Sequence, residues 1–203
     1  MVFIPTPTVE INVATQGMSK GLMNEEGVQV IGNVRFDLSH HLYARGLFKN
    51  VDTGSNEAQA ALGAHTKVSG FELTGEVAYK RLMDAPVGYD AQALELTAKV
   101  AHKVGPATLA LTAVASPDDF GPVGKSLYVE ANASLPVRKG TLLSGGVGHR
   151  SRDNATDYTS FNAGVTQTLS KNIAVDVRYY DTAENSYGRA FRNRVIAALK
   201  FKF

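Results

Sequence analysis

The sequence predicts an all-β chain, folded as an antiparallel up-and-down transmembrane β-barrel of about 12 strands. Three observations carry that reading. Apolar and polar residues alternate with period two along most of the 203 residues. The connections alternate between short and long. The closing segment, residues 192–203, reads RNRVIAALKFKF and ends on an aromatic residue. There Val195, Ala197, Leu199, Phe201 and Phe203 share one face, and Arg194, Ile196, Ala198, Lys200 and Lys202 share the other.

Taken in order, the first strand is expected over residues 8–16, with Val9, Ile11 and Val13 against Glu10 and Asn12. Residues 28–38 set Val30, Val34 and Phe36 against Asn33, Arg35 and Asp37, and residues 41–50 set Leu42, Ala44 and Phe48 against Tyr43, Arg45 and Lys49. Residues 57–68 and 71–81 follow, the second with Leu73, Val77 and Tyr79 opposite Glu72, Glu76 and Lys80. Residues 92–103 oppose Leu94, Leu96 and Ala98 to Glu95, Thr97 and Lys99; residues 107–115 are weaker. Residues 125–135 place Glu130 opposite Leu127, Val129 and Ala131. Residues 141–150 are rich in glycine, residues 158–169 alternate again, and residues 173–181 oppose Asp176 and Arg178 to Val175, Val177 and Tyr179. Residues 1–7 are left as an N-terminal extension of a single domain spanning residues 1–203.

The links at residues 39–40, 69–70, 104–106, 136–140 and 170–172 are short. Those at residues 17–27, 51–56, 82–91, 116–124, 151–157 and 182–190 are longer and rich in Gly, Pro, Asp and Asn. Short periplasmic turns on one rim and longer extracellular loops on the other are the layout of bacterial outer-membrane barrels. An even strand number puts both termini on the short-turn rim.

Alternation alone does not say which face looks inward, because a soluble ligand-binding barrel alternates too. Size separates the two. About twelve strands enclose more space than the eight-stranded barrels that side chains just fill. The apolar set here is largely Ala, Val, Leu and Gly, too small for such a lumen, whereas Arg, Lys, Glu and Tyr can span it. Lipid outside therefore fits, and in the stronger strands the apolar set carries no charge at mid-strand, where one costs roughly 2–4 kcal/mol. An aromatic girdle would fall to Phe48, Phe71, Tyr79, Phe161, Tyr179, Phe191, Phe201 and Phe203.

Composition narrows the function. Lys and Arg total 21 against 19 acids, interspersed, so there is no nucleic-acid footprint. Without cysteine there is neither a disulfide framework nor a thiolate metal site. No apolar run reaches the length of a transmembrane helix. The opening MVFIPTPT has no charged start and no apolar core, which reads as the mature form of an exported protein.

The segments VEINVATQGMSKG, ASPDDFG between the seventh and eighth strands, and VRYYDTAE before the final hairpin give the chain a resemblance to the TorF-type family of outer-membrane porins along essentially its whole length. That family tends to carry an aromatic and an arginine before the first-loop glycine. Thr15-Gln16-Gly17 stands here instead, so a pore role for that arginine does not transfer. The resemblance implies an outer-membrane location among lipid and lipopolysaccharide, and passage of small hydrophilic solutes. It also implies a C-terminal strand (Val195, Leu199, Phe201, Phe203) read by the barrel-assembly machinery.

The expected pore-lining residues are Arg35, Asp37, Arg45, Glu72, Glu76, Lys80, Glu95, Lys99, Glu130, Asp176, Arg178 and Arg194. Rings of such charges set ion preference in pores. The same residues also suit a ladder of salt bridges that plugs the lumen, leaving the loops as a structural or surface-interaction device. No cofactor or metal is expected: the adjacent His40 and His41 suit a solvated rim, and no zinc spacing occurs. Ser160, His149 and Asp157 are of catalytic type, but any serine-rich barrel offers such a set, so no enzyme is expected. Asp118 and Asp119 suit a divalent cation or a loop folded into the mouth, with a solvated turn held by Pro117 and Pro122 as the default expectation.

Overall fold

The computed structural model describes residues 7–51 and 55–203. In chain order its strands are β1 (Pro7–Ala14), β2 (Gly17–Ser19), β3 (Leu22–Glu25), β4 (Gln29–Asp37), β5 (Leu42–Val51), β6 (Ser55–Val68) and β7 (Phe71–Met83). They continue with β8 (Gln92–Val104), β9 (Ala107–Asp119), β10 (Gly124–Arg138), β11 (Thr141–Arg152), β12 (Tyr158–Thr168), β13 (Ile173–Thr182) and β14 (Arg194–Lys202). Twelve of them form a closed antiparallel meander from β1 through β4 to β14; β2 and β3 pair only with each other. The twelve barrel strands correspond one to one with the twelve read from the alternation.

Closure rests on the seam between the first and last strands. β1 meets β14 in register from Glu10 opposite Lys202 to Ala14 opposite Ala198. Beyond Glu10, Val9 and Phe203 exchange both backbone hydrogen bonds, at 3.1 and 2.8 Å. The terminal aromatic residue thus completes the ring and leaves no open edge.

The distribution of side chains is the inverse of a soluble protein's. Leu62, Val77, Phe161, Val177, Val195 and Leu199 are exposed on the outer face, while Lys49, Glu57, Lys80, Asp119 and Asp176 are buried. A soluble barrel with an apolar interior does not describe this arrangement. Two inward glycines make room for bulk. A Cβ at Gly63 would strike the ring of Tyr43, its register partner, and one at Gly148 would strike Tyr128.

Four expectations are corrected. The link at residues 51–56 shrinks, because Val51 pairs with Ser55; residues 52–54 lie outside the described residues. The extension expected over residues 1–7 loses Pro7, which opens β1; residues 1–6 are likewise outside the described residues. The loop expected over residues 116–124 is mostly strand, since β9 runs to Asp119. A register shift opposite Leu94 and Leu96 accommodates Pro117 and brings Asp119 inward. Phe191 does not join the outer aromatic belt: it packs edge-on against Tyr158 at 5.7 Å and Tyr187 at 5.9 Å.

The outward face at the middle of β13 sets a test. Val177→Arg is expected to lower folding stability in phospholipid vesicles by about 2–4 kcal/mol, and Val104→Arg at the short-turn end by about 0–1 kcal/mol. Urea titration of the refolded barrel measures both.

Candidate functional site

The first long connection does not stay outside the barrel. Residues 17–25 fold as a hairpin in which Met18 pairs with Met23 and Ser19 with Leu22, leaving Lys20-Gly21 at the tip. Both tip residues have positive φ, 50° and 80°, as a two-residue hairpin turn demands. The tip leans across the lumen. Lys20 Nζ lies 2.5 Å from Glu95 Oε2 on β8, and the Tyr158 hydroxyl on β12 donates to the Lys20 carbonyl at 2.6 Å. Gly21 sits so close to Ser160 that no side chain would fit. At the base, Gln29 donates to the Asn50 carbonyl at 2.9 Å and Asn50 to Glu25 Oε2 at 3.0 Å. Burial lowers the Lys20 pKa from its ordinary value, Lys80 adds to that, and Glu95 opposes it.

Around the tip the charges form one ladder. Glu57 lies 3.3 Å from Lys49 and 3.6 Å from Lys80, Lys80 is 3.2 Å from Glu95, and Glu95 reaches Lys20. The first three steps join adjacent strands, from β5 through β6 and β7 to β8, and the last reaches the hairpin tip. Opposite, Asp119 pairs with Arg150 and accepts from the Ser126 hydroxyl at 2.6 Å. Asp119 is buried there, so the solvated turn expected for it is not observed.

Two further networks line the wall. Arg45 grips Glu76 with two hydrogen bonds at 3.0 and 2.5 Å, and Tyr43 donates to the same carboxylate at 3.0 Å. Arg35 stacks on the Tyr43 ring at 3.8 Å and pairs with Asp37 at 2.8 Å. Across the barrel, Arg178 donates to Asn162 at 2.8 Å, to Ser144 at 2.7 Å and to Asp176 at 3.2 Å, while Asn162 donates to Glu130 at 3.0 Å.

Nine of the twelve charges singled out from the sequence enter these networks. The other three do not. Glu72 pairs with Lys67 at 2.6 Å on the exposed short-turn rim, and Lys99 is exposed on the inward parity of β8. Arg194 bonds the Arg189 carbonyl and Met23, tying the last long loop to the hairpin. Among the assembly residues, Val195 and Leu199 are exposed on the outer face and Phe203 closes the seam, with Phe201 opposite Ile11. Sequence reasoning missed Lys20, Lys49, Glu57, Asp119, Arg150 and Arg152. Lys49 and Glu57 lie on the polar parity and were legible there; Lys20 was signalled only by the Lys-Gly pair between two methionines.

The hairpin tip separates two cavities of about 320 Å³ each. One opens toward the long loops, between Lys20, Lys80, Arg150 and Arg152. The other lies deeper, between Lys20, Glu130, Asn162, Arg178 and Tyr180. The catalytic-type set does not converge: His149 bonds Thr159 at 3.0 Å on the outer face, and Ser160 is buried inside. Among the described residues no cluster of three or more metal-ligating side chains occurs.

A closed twelve-stranded barrel with an apolar belt and a charged lumen is the fold of outer-membrane porins. The KdgM porin superposes with a TM-score of 0.68 at 11% identity, covering 97% of this chain and 99% of that one. The NanC porin gives 0.67 at 7%, covering 96% and 98%. The COG4313 outer membrane channel from Pseudomonas putida F1 gives 0.59 at 13%, covering 100% and 97%. At such identities the likeness concerns the fold alone. The chain itself belongs to the Gcw_chp family, bacterial proteins of unknown function, whose profile matches residues 48–202. Comparison with curated proteins finds no match.

The hold on the hairpin is testable because the chain has no native cysteine. A Ser19→Cys barrel is expected to react with a thiol reagent at least about tenfold faster when Glu95→Gln is added, since losing a charge-assisted hydrogen bond is worth about 1.5–3 kcal/mol. The labelling rate measures it.

Proposed function

We propose that the chain is an outer-membrane channel of TorF type that passes small hydrophilic solutes or ions through a lumen narrowed by its own first loop. The observation that carries this reading is the inward hairpin with a cavity on either side. The interior is polar and divided, where a self-filled barrel would be packed through. In this reading Arg35, Asp37, Arg45, Glu76, Lys80, Glu95, Glu130, Asp176 and Arg178 line the pore, and Glu72 and Lys99 line its short-turn mouth. The long loops face outward among lipopolysaccharide, the short turns face the periplasm, and the C-terminal strand is the segment read by the assembly machinery. The fold likeness to KdgM and NanC, and the segments ASPDDFG and VRYYDTAE, support it.

The constriction gives the channel a sign. Five cations, Lys20, Lys49, Lys80, Arg150 and Arg152, stand around it with three acids, Glu57, Glu95 and Asp119, an excess of two positive charges. Charged rings at a narrow point bias conduction toward the opposite ion, so anions pass more readily. A second reading is favoured by how fully the carboxylates are paired: the hairpin and its ladder close the barrel, which then serves as a surface-interaction protein.

Planar-bilayer recording separates the readings. The channel is expected to conduct, with a reversal potential in a KCl gradient that favours chloride, and Lys20→Glu is expected to weaken or reverse that preference. Deleting residues 18–24 is expected to raise the conductance. A silent native barrel that conducts only after the deletion would establish the plugged form instead.

A further inference from the structure

The cavity nearer the long loops differs in kind from the rest of the lumen. On one side stand Arg150 and Arg152, alternate residues of β11 and therefore roughly 7 Å apart along one face. The guanidinium of Arg150 is committed to Asp119 and Ser126. Arg152 lies over the Tyr158 ring at 5.1 Å and donates to the Thr156 carbonyl. Among the described residues no carboxylate comes within ion-pair distance of Arg152. The Nε–H groups of both arginines are buried without a hydrogen-bond partner. A buried donor left unpaired costs free energy, and an anion accepting from it removes that cost. Of the two-charge excess at the constriction, one charge stands at this wall, where two arginines share Asp119, and the other belongs to the lysine ladder.

Part of the remaining lining is apolar. Leu22 and Met23 of the hairpin, Leu82 at the end of β7, Tyr89 of the loop after β7, and Phe120 and Val123 of the link after β9 form it, beside the ladder residues Lys20, Glu57 and Lys80, whose Nζ lies 5.0 Å from the Phe120 ring. The Tyr89 ring lies against Gly121, where a Cβ would meet it at 2.7 Å, and Gly121 also has φ 62°. That position is closed to a side chain on both counts, and the glycine seats the tyrosine beside Phe120. Leu82 faces inward, where β7 otherwise presents Glu72, Thr74, Glu76 and Lys80. A cavity of about 320 Å³ is at the small end of ligand sites, which combine apolar walls with a few convergent polar groups. A bare inorganic ion would leave the apolar part of this lining uncovered, and so would a fully polar sugar.

We propose that this cavity is a binding site for a small organic carboxylate with a flat apolar body, of which benzoate is the simplest probe. Its carboxylate meets Arg152 and the Nε–H of Arg150, and its ring lies against Phe120, Tyr89 and Leu82. The inference rests on the channel reading for the ligand's onward route, but not for binding itself.

Calorimetric titration of the refolded barrel in detergent tests it with three probes. Benzoate is expected to bind at least about tenfold more tightly than acetate, which lacks the ring, and than benzamide, which lacks the charge. Arg152→Gln is expected to abolish the preference for benzoate over benzamide, and Arg152→Lys to retain part of it. Phe120→Ala is expected to shrink the preference for benzoate over acetate while keeping the dependence on charge. Heat-modified gel migration reports folding of each variant. If Arg152→Gln fails to fold, the Phe120→Ala ratio decides alone. Equal binding of benzoate and benzamide, or a benzoate affinity untouched by a folded Arg152→Gln, overturns the proposal. A barrel that conducts without these preferences sinks the site and spares the channel; one that binds benzoate but never conducts sinks the channel and spares the site.

Discussion

A bilayer core offers no water to a free peptide group, and that one constraint orders the rest of this barrel. Every strand must find a partner on both sides, so the chain has to return to its own beginning. It does so through a short seam, from Val9 and Phe203 to Ala14 and Ala198. Once the ring is closed, each strand has one face toward lipid and one toward the lumen, and the period-two pattern becomes a radial sorting of chemistry. Val177 and Leu199 go outward, Asp176 and Lys200 inward, with no exception required at mid-strand.

Sorting charges inward creates a second requirement. A lumen wide enough for twelve strands brings many ionic groups into a space with restricted water, where an unpaired charge is costly. The chain meets this with ladders in which cations and acids alternate between adjacent strands. Lys49, Glu57, Lys80 and Glu95 form the longest. Lys20 continues it on a segment that belongs to no wall strand, so the inward hairpin is held by the same electrostatics that organises the wall.

How much of this could be read beforehand follows from the length scale of each pattern. The strands and their facing were legible because alternation over nine or more residues is a long signal; β8 and β14 show it plainly. The charges of Arg45, Glu76, Asp176 and Arg178 were legible as inward because parity alone places them. Their partners were not, since pairing depends on strand stagger and sequence alternation carries no register. The hairpin β2–β3 was missed because it spans only a few residues on either side of Lys20-Gly21, too short for periodicity to show. The default turn at Asp119 fails because Pro117 and Pro122 imitate a turn; a bulge lets Pro117 remain in a strand and shifts the parity by one residue. Arg150 and Arg152 lie at a strand end, where alternation is weakest and loops supply half the surroundings.

The paired glycines have a consequence for the bore. Tyr43 occupies space that Gly63 leaves empty, and Tyr128 does the same beside Gly148. Bulk on one strand thus stands over a bare position on its neighbour, directly opposite at Gly63 and diagonally at Gly148. The outline of the lumen is therefore a property of neighbouring pairs, and its shape can drift over evolutionary time with little change in cross-section. Enlarging only one member crowds the wall itself, while shrinking only one opens a pocket beside the path.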